Sequence, residues 1–268
     1  MKQRKRNFNL IVGSILTGLV LIPAFIGLFA TPYDPETMDA ANKLAGVSLT
    51  HIMGCDNFGR DILSRVMAGS SITMMIGAAT VLIGVIVGTL IGAFSGYYGG
   101  IFDEVIMRIN DAAFTFPSIL LALTFISLFG SGMYQVMLAL GIAFVPSYAR
   151  IVRSEFIRCK NMDYVKSAKL AGAGDLRIMF VHILPNAFSV LSSSILIGFN
   201  NAVLAEAGLS FLGIGVQPPN ASLGRMLSEA QTYLFSTPTY ALFPGIAIII
   251  MILGITLLSE GLKEKKVC

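Results

Sequence analysis

The sequence predicts an all-α, polytopic membrane protein with six transmembrane helices. Of its 268 residues, 55% are hydrophobic and 13% are charged, and the mean hydropathy is +0.77. A soluble domain carries roughly 25% charged residues, about twice this share. The apolar residues are concentrated in runs of about 20 residues, the length that an α-helix needs to cross a bilayer.

Six apolar runs are interpreted as spans: residues 8–30, 71–94, 102–129, 134–148, 187–205 and 240–258. The first follows the basic N-terminus and lacks a small-x-small cleavage site, which favours a retained signal anchor. The second carries glycines at four-residue spacing, a pattern that lets another helix approach closely. The predicted segments are 1–30 (N-terminus and first span), 31–70 (extracytoplasmic), 71–262 (five spans, with the loop 150–186) and 263–268 (tail).

The distribution of basic residues predicts the orientation. With the N-terminus in the cytosol, fifteen of the nineteen Lys and Arg residues face the cytosol, where such residues accumulate in membrane proteins. Both termini and the loop 150–186 are therefore predicted to be cytoplasmic. Because the Lys and Arg residues lie at span ends, the net charge of +4 is explained without a nucleic-acid-binding face. With Cys55 outside and Cys159 and Cys268 inside, no intrachain disulfide is expected.

The loop 150–186, called the hairpin below, is the longest polar stretch of the chain. Its first helix is predicted over 164–171, with Asp163 at its start and Gly172 at the position after the helix that favours glycine. The second is predicted over 176–184, with Asp175 as its cap and Pro185 as its end. An apolar stripe on the second helix would dock on the spans; its members are Leu176, Met179, Phe180, Ile183 and Leu184.

The hairpin has two interpretations. It is either a solvated connecting loop, which periodicity alone favours, or a rigid surface that a soluble partner pushes. The run DYVKSAKLAGAGDLRIMFVHILPN favours the second, because it resembles the "EAA" loop of binding-protein-dependent ABC importer permeases. With the glycine of that pattern on Gly172, its E-A-A falls on Lys166, Ser167 and Ala168. The resemblance implies that an ATPase subunit contacts Lys166, Ser167, Ala168, Leu170, Ala171, Gly172, Ala173, Gly174 and Asp175.

Three further runs resemble the dipeptide/oligopeptide/nickel branch of these permeases: HIMGCDNFGRDILSRVMAG, FTFP and AEAGLSFLGIGVQPP. The chain is similar to the second of two different permease subunits in such an importer. The resemblance implies a homologous partner permease, two ATPase subunits that hold ATP and Mg²⁺, and an external substrate-binding lipoprotein or periplasmic protein. Di- and oligopeptides are the first expected substrate, and nickel or a metal chelate is the alternative.

Two polar groups outside the hairpin are candidate sites. Ser193, Asn200, Asn201 and Glu206 fall in or near the fifth span, where polar side chains line a cavity or bond to neighbouring helices. Glu206 could instead cap the segment that follows. The outer motif Asp56, Gly59, Arg60 and Asp61 is expected to fix a turn or to meet the binding protein, with Asp61 paired to Arg60 or Arg65.

Other classes of protein fit less well. The chain has no G-x-x-x-x-G-K-[ST] run, so it is not expected to bind ATP or any other cofactor itself. An intramembrane hydrolase would need its catalytic pair within the spans. The two histidines of this chain, His51 and His182, both lie outside the predicted spans. A metal site at His51 and Cys55 is not expected. A channel would not need the glycine-divided hairpin, and its flux would not depend on ATP.

Overall fold

The computed structural model describes residues 2–266, with side chains described for 8–262. Within this range the regular structure is helical, apart from one isolated β-bridge between Cys55 and Asp61. The helices are α1 Lys2–Gly27, α2 Ile62–Tyr98, α3 Gly100–Thr115, α4 Ser118–Phe129, α5 Met133–Cys159, α6 Asp163–Leu170, α7 Asp175–Arg177, α8 Leu184–Phe211, α9 Leu223–Ala230 and α10 Thr239–Lys266. Short 3₁₀ turns occupy Ala40–Asn42 and Gln231–Tyr233, and a π-helical segment, Ile178–Ile183, joins α7 to α8.

The all-α membrane fold is confirmed. Five described helices are long and apolar enough to cross a bilayer, and there are six if the bent pair α3–α4 counts as one span. That pair was predicted as one helix over 102–129, but it bends by 90° at Phe116-Pro117. The physical reason is that proline has no N–H to donate and excludes the preceding residue from helical geometry. Phe116 accordingly adopts an extended conformation.

Several helices extend further than predicted. Helix α2 begins at Ile62 rather than residue 71 and ends at Tyr98 rather than residue 94. Helix α5 continues past Tyr148 to Cys159, well inside the predicted loop. At 1.5 Å per residue, the 37 residues of α2 measure about 55 Å, whereas the hydrocarbon core is about 30 Å thick. Hydropathy detects only the part of a helix in lipid, because polar residues outside it remain helical in water.

The chain divides into two compact units. The first contains α1, the segment up to Ala78, Ile126–Met137, and the chain from Asn200 onward. In it α1 packs directly along α10. A Cβ atom on Gly13 would lie 2.6 Å from the backbone nitrogen of Leu258, and one on Gly254 would lie 2.7 Å from that of Thr17. Backbone therefore meets backbone along this pair, as small residues allow.

The second unit contains Ala79–Phe125 and Leu138–Phe199. The glycines of α2 lie against α5: a Cβ on Gly88 would be 2.6 Å from Cβ of Tyr148, and one on Gly96 would be 2.7 Å from the carbonyl oxygen of Arg153. This confirms the close helix approach predicted from the glycine spacing.

Helix α3 is bound to α5 by polar contacts within the same unit. The Nε and Nη2 atoms of Arg153 donate to the two carboxylate oxygens of Asp103, both at 2.6 Å. Further along, Nδ2 of Asn110 donates to the carbonyl oxygen of Pro146 at 3.2 Å. The polar half of the bent pair is therefore fixed to the helix that leads into the hairpin.

Candidate functional site: a helical hairpin and two polar clusters

The hairpin is more helical than the sequence predicts, because both of its ends are continuous with long helices. Only residues 160–174 lie between α5 and α7, and α6 (Asp163–Leu170) occupies about half of them. Asp163 is in the first turn of α6 and Met162 is the N-cap. The acid there stabilises the helix through its dipole rather than by capping.

Gly172 ends α6 as predicted. Its φ angle is +81°, a left-handed conformation that L side chains rarely adopt. The backbone N–H of Ala173 donates to the carbonyl of Ala168, and that of Gly172 donates to Lys169, both at 3.0 Å. These two bonds form a Schellman motif, which satisfies carbonyls at the end of the helix.

The second predicted helix is corrected in two respects. Pro185 does not end it: α7, the π-helical segment and α8 form one run, Asp175–Phe211. The π turn bonds the N–H of Leu184 to the carbonyl of Met179, five residues back, so the chain enters Pro185 without a break. Asp175 is not the cap, since Gly174 occupies that position; instead the Asp175 carboxylate accepts a hydrogen bond from the hydroxyl of Tyr97 at 2.6 Å.

The apolar stripe on this helix docks in part. Met179 and Ile183 are fully buried, and the ring of Phe180 packs edge-on against Phe94 with centroids 6.2 Å apart. Leu176, however, is 59% exposed, and Ile178 is buried although it lies outside the predicted stripe. The π turn closes i→i+5 bonds and so changes which residues share a face.

The outward surface of the hairpin presents an apolar tip beside exposed charged residues of both signs. Leu170 is 90% exposed at the end of α6, an unusual position for a large apolar side chain in water. Nothing lies within 4 Å of a Cβ on Gly172 or Gly174. Lys166 pairs with Asp163 at 3.0 Å, but both side chains are largely in solvent. The remaining predicted contacts are exposed (Ser167, Ala171) or half-buried (Ala168, Ala173).

The four candidate path residues do not form one surface. All lie on α8. At about 100° per residue, Ser193 and Asn200 are about 20° apart, while Glu206 points about 140° away from Ser193. Nδ2 of Asn200 donates to Thr256 of α10 at 2.8 Å, which supports the interhelical alternative. Asn201 is exposed and Ser193 is half-buried.

Glu206 is fully buried, and its surroundings are polar hydroxyls. Oε1 accepts a hydrogen bond from the hydroxyl of Ser210 at 2.7 Å. Oγ of Ser210 in turn accepts from the backbone N–H of Val216 at 3.0 Å. These contacts fix the turn after α8, which agrees with the structural alternative for Glu206.

The outer motif forms part of a buried ionic cluster, defined here as Asp56, Arg60, Arg65 and Glu229. Asp56 accepts from the backbone N–H groups of Phe58 and Arg60, and Nε of Arg60 donates to its Oδ2 at 2.6 Å. Nη2 of Arg65 lies 3.1 Å and Nη2 of Arg60 lies 3.2 Å from Oε2 of Glu229. The motif therefore fixes a turn, as expected.

The pairing predicted for Asp61 is wrong. Its carboxylate contacts Nδ1 of His51 at 3.0 Å and accepts from the backbone N–H and hydroxyl of Ser64, both at 2.8 Å. The Ser64 bonds make Asp61 the N-cap of α2.

Gly59 has φ +79°, and a Cβ there would collide with the carbonyl oxygen of Asp39. Glu229 was missed, because 164 residues separate it from Arg65 and spacing gives no signal at that distance.

The surroundings of His51 and Cys55 are defined by neighbouring side chains of the outer segment. His51 contacts Asp61, and its ring lies 4.8 Å from that of Tyr33. Cys55 is fully buried; this burial, with the charges of Asp61 and Asp56, raises the pKa of its thiol to about 11. A protonated thiol is a poor metal ligand. Among the residues described, no group of three or more His, Cys, Asp or Glu side chains could hold a metal ion. Cys159 is also buried, and Cys268 lies outside the described residues.

The helical fold of this chain occurs in known proteins. In inward-facing structures of the methionine ABC transporter MetNI, a matching chain has a TM-score of 0.61 at 16% identity, covering 76% of this chain and 96% of that one. An amino acid ABC transporter solved with histidines matches with a TM-score of 0.58 at 18% identity, covering 75% and 94%. At these identities the likeness establishes the fold.

Sequence relatives are closer. The glutathione transport system permease protein GsiD of Salmonella typhimurium is 42% identical over 264 residues, which cover 97% of this chain and 86% of that protein. A putative peptide transport system permease protein of Brucella suis is 39% identical over 261 residues, covering 97% and 87%. The family model described as "Binding-protein-dependent transport system inner membrane component" matches residues 88–264. The chain therefore belongs to this family and is a permease subunit of a bacterial ABC importer in the inner membrane.

Proposed function

We propose that this chain forms half of the translocation pathway for di- and oligopeptides, glutathione-like peptides included, beside a second homologous permease. The two relatives named for glutathione and for peptides support the substrate class. The single observation that supports the coupling role is the hairpin. Its exposed tip at Leu170 and Gly172 connects two helices whose lengths exceed the thickness of the hydrocarbon core.

The energy for transport comes from two partner ATPase subunits, which hold ATP and Mg²⁺. Closure of the ATPase pair displaces α6, and the spans move because the hairpin is helical at both ends. Helix α5 ends four residues before Asp163, and α7 belongs to the same run as α8. Contacts that differ between two states are what allow one subunit to shift the conformation of another. This chain binds no cofactor and performs no chemistry.

The hairpin and both termini lie in the cytosol, and residues 31–70 lie outside. The asymmetry of Lys and Arg residues supports this orientation. The side chains of residues 2–7 and 263–266, which contribute to that asymmetry, are not among those described. The outer side meets a substrate-binding lipoprotein or periplasmic protein, which selects the substrate.

Reconstitution tests this function. The chain is expressed with its partner permease and ATPases, purified by a tag on this chain, and placed in vesicles with the binding protein. We expect both ATPases and the second permease to co-purify, and labelled dialanine or glutathione to enter only with ATP. Nickel uptake in the same vesicles would indicate the alternative substrate. Isolation as a homo-oligomer that conducts without ATP would overturn the proposal.

A further inference from the structure

Helix α2 is not continuous with the hairpin, yet one of its residues contacts both hairpin helices. Tyr97 lies in the last turn of α2 and is 9% exposed. Its hydroxyl donates to Oδ1 of Asp175 at 2.6 Å, a short distance typical of a bond to a carboxylate. Asp175 is the first residue of α7, directly after Gly174.

The ring of Tyr97 has a second partner across the glycine turn. Nζ of Lys169 lies 5.6 Å from the ring centroid, within the range of a cation–π interaction. Lys169 is in the last turn of α6. One side chain therefore contacts the helix before Gly172 with its face and the helix after it with its hydroxyl.

The end of α2 that carries Tyr97 is itself firmly held. Nζ of Lys160 donates to the carbonyl of Gly96 at 3.0 Å, satisfying an acceptor at the C-terminus of the helix. The hydroxyl of Ser95 donates to Asp103, which also binds both donor atoms of Arg153. Tyr97 is thus held by contacts among α2, α3 and α5. In the glycine turn, by contrast, nothing lies within 4 Å of a Cβ on Gly172 or Gly174.

We propose that Tyr97 is a positioning residue that sets the angle between the two hairpin helices. Through this residue α2 becomes a third helix, beside α5 and α8, that moves when the ATPase pair closes. The proposal rests on the proposed function and adds a residue outside the loop to it. The covalent connections through α5 and α8 leave the Gly172 turn free to bend. The Tyr97–Asp175 bond restricts that bending, so a push on Leu170 moves the spans rather than the turn alone.

The variant Tyr97→Phe tests this, because it keeps the ring and removes the hydroxyl. In the reconstituted importer we expect dialanine or glutathione uptake per ATP hydrolysed to fall about tenfold, with the complex assembled. Such a change corresponds to about 1.4 kcal/mol, close to what a hydrogen bond to a charged group contributes. The matched control is Tyr98→Phe, the neighbouring and more exposed tyrosine, whose ring stacks on Phe94. It should keep the wild-type ratio.

A double-mutant cycle separates this role from a general loss of stability. Asp175→Ala should lower the ratio as Tyr97→Phe does, and the double variant should be no worse than either one. Asp175→Asn, which keeps an acceptor oxygen, should restore part of the ratio. Full additivity, or a wild-type ratio in Tyr97→Phe, would overturn the proposal. A fall in uptake and ATP hydrolysis together, matching the loss of assembled complex, would assign Tyr97 a merely structural role.

Hydrogen exchange provides a test that does not need the ATPases. In the detergent-solubilised chain, amides of residues 163–174 should exchange several-fold faster in Tyr97→Phe than in Tyr98→Phe, because the hairpin opens locally. Equal exchange in the two variants would overturn the positioning role even if the importer works as proposed. Faster exchange in a chain that never binds an ATPase would instead refute the proposed function.

Discussion

The buried ionic cluster and the hairpin contain the same kinds of charged residues in opposite environments. In the cluster, the side chains of Asp56 and Arg65 are 0% and 1% exposed, and each has fixed partners. In the hairpin, Lys166 and Asp163 are 64% and 96% exposed. Buried charges are costly unless they are paired, so the cluster depends on its geometry. Exposed pairs contribute about 0–1 kcal/mol and are free to exchange partners. The first arrangement maintains a fold, and the second suits a surface that meets another protein.

The largest expected effect comes from removing Glu229, since its carboxylate is shared by Arg60, Arg65 and Arg225 and by the hydroxyl of Tyr240. Glu229→Ala removes one of the two carboxylates of the cluster and leaves Arg60 and Arg65 to share Asp56. Breaking a buried ion pair in this way typically costs about 3–5 kcal/mol. We expect a lower unfolding temperature and a lower yield of the solubilised chain.

The control is Glu104→Ala, which breaks an exposed pair with Arg108. This variant should unfold close to the wild-type temperature. Equal destabilisation by the two substitutions would contradict the contrast between buried and exposed charges.

Next in size is the effect of Gly172→Val. A valine at φ +81° is strained, by roughly 1–2 kcal/mol for the left-handed conformation, although the Cβ would meet open space. The turn is expected to change its angle, so ATP-driven uptake is largely lost while the subunits still co-purify. Gly174→Ala is the matched control, because φ −71° and ψ 159° suit any L residue and nothing lies within 4 Å. Wild-type uptake in Gly172→Val would show that the turn geometry is unimportant.

The buried side of the comparison also predicts a pH effect at Cys55. Burial raises the pKa of this thiol from 9.0 to about 11. The unfolded chain therefore loses this proton first as pH rises, and the contribution of Cys55 to stability falls between about pH 9 and pH 11. At pH 8 the folded protein should react slowly with iodoacetamide at Cys55, because the thiolate is the nucleophile. Mass spectrometry of the labelled peptide, with SDS-denatured protein as the reference, measures this; equally rapid labelling of both forms would exclude a buried thiol.

The smallest expected change in stability is that of Lys166→Ala. The exposed pair with Asp163 contributes about 0–1 kcal/mol, so the unfolding temperature of the isolated chain should barely move. A change in ATP hydrolysis or in ATPase binding by the assembled importer would then report a contact between Lys166 and the partner. A clear loss of stability in the isolated chain would place Lys166 with the buried cluster instead.

Much of this protein was predictable from local sequence. Apolar runs of bilayer length determine the spans, the glycines of α2 allow another helix to approach closely, and Gly172 determines the turn after α6. Each of these depends on residues near one another in the chain, where helical periodicity and backbone geometry act directly. The spans and the hairpin's helix–glycine–helix form were predicted for this reason, whereas the family was predicted from the resemblance of four runs to known permeases.

The tertiary structure decided the rest. It showed that Glu229 completes the ionic cluster, that Asp61 caps α2, and that Tyr97 contacts both hairpin helices. It also replaced the expected stop at Pro185 with a π turn, which keeps Asp175–Phe211 in one run. Contacts between residues far apart in sequence depend on packing and on the desolvation of charges, and neither leaves a spacing pattern in the chain. The sequence by itself determined which helices form and where they turn, and only the folded chain determined which charges are buried and what holds the hairpin in place.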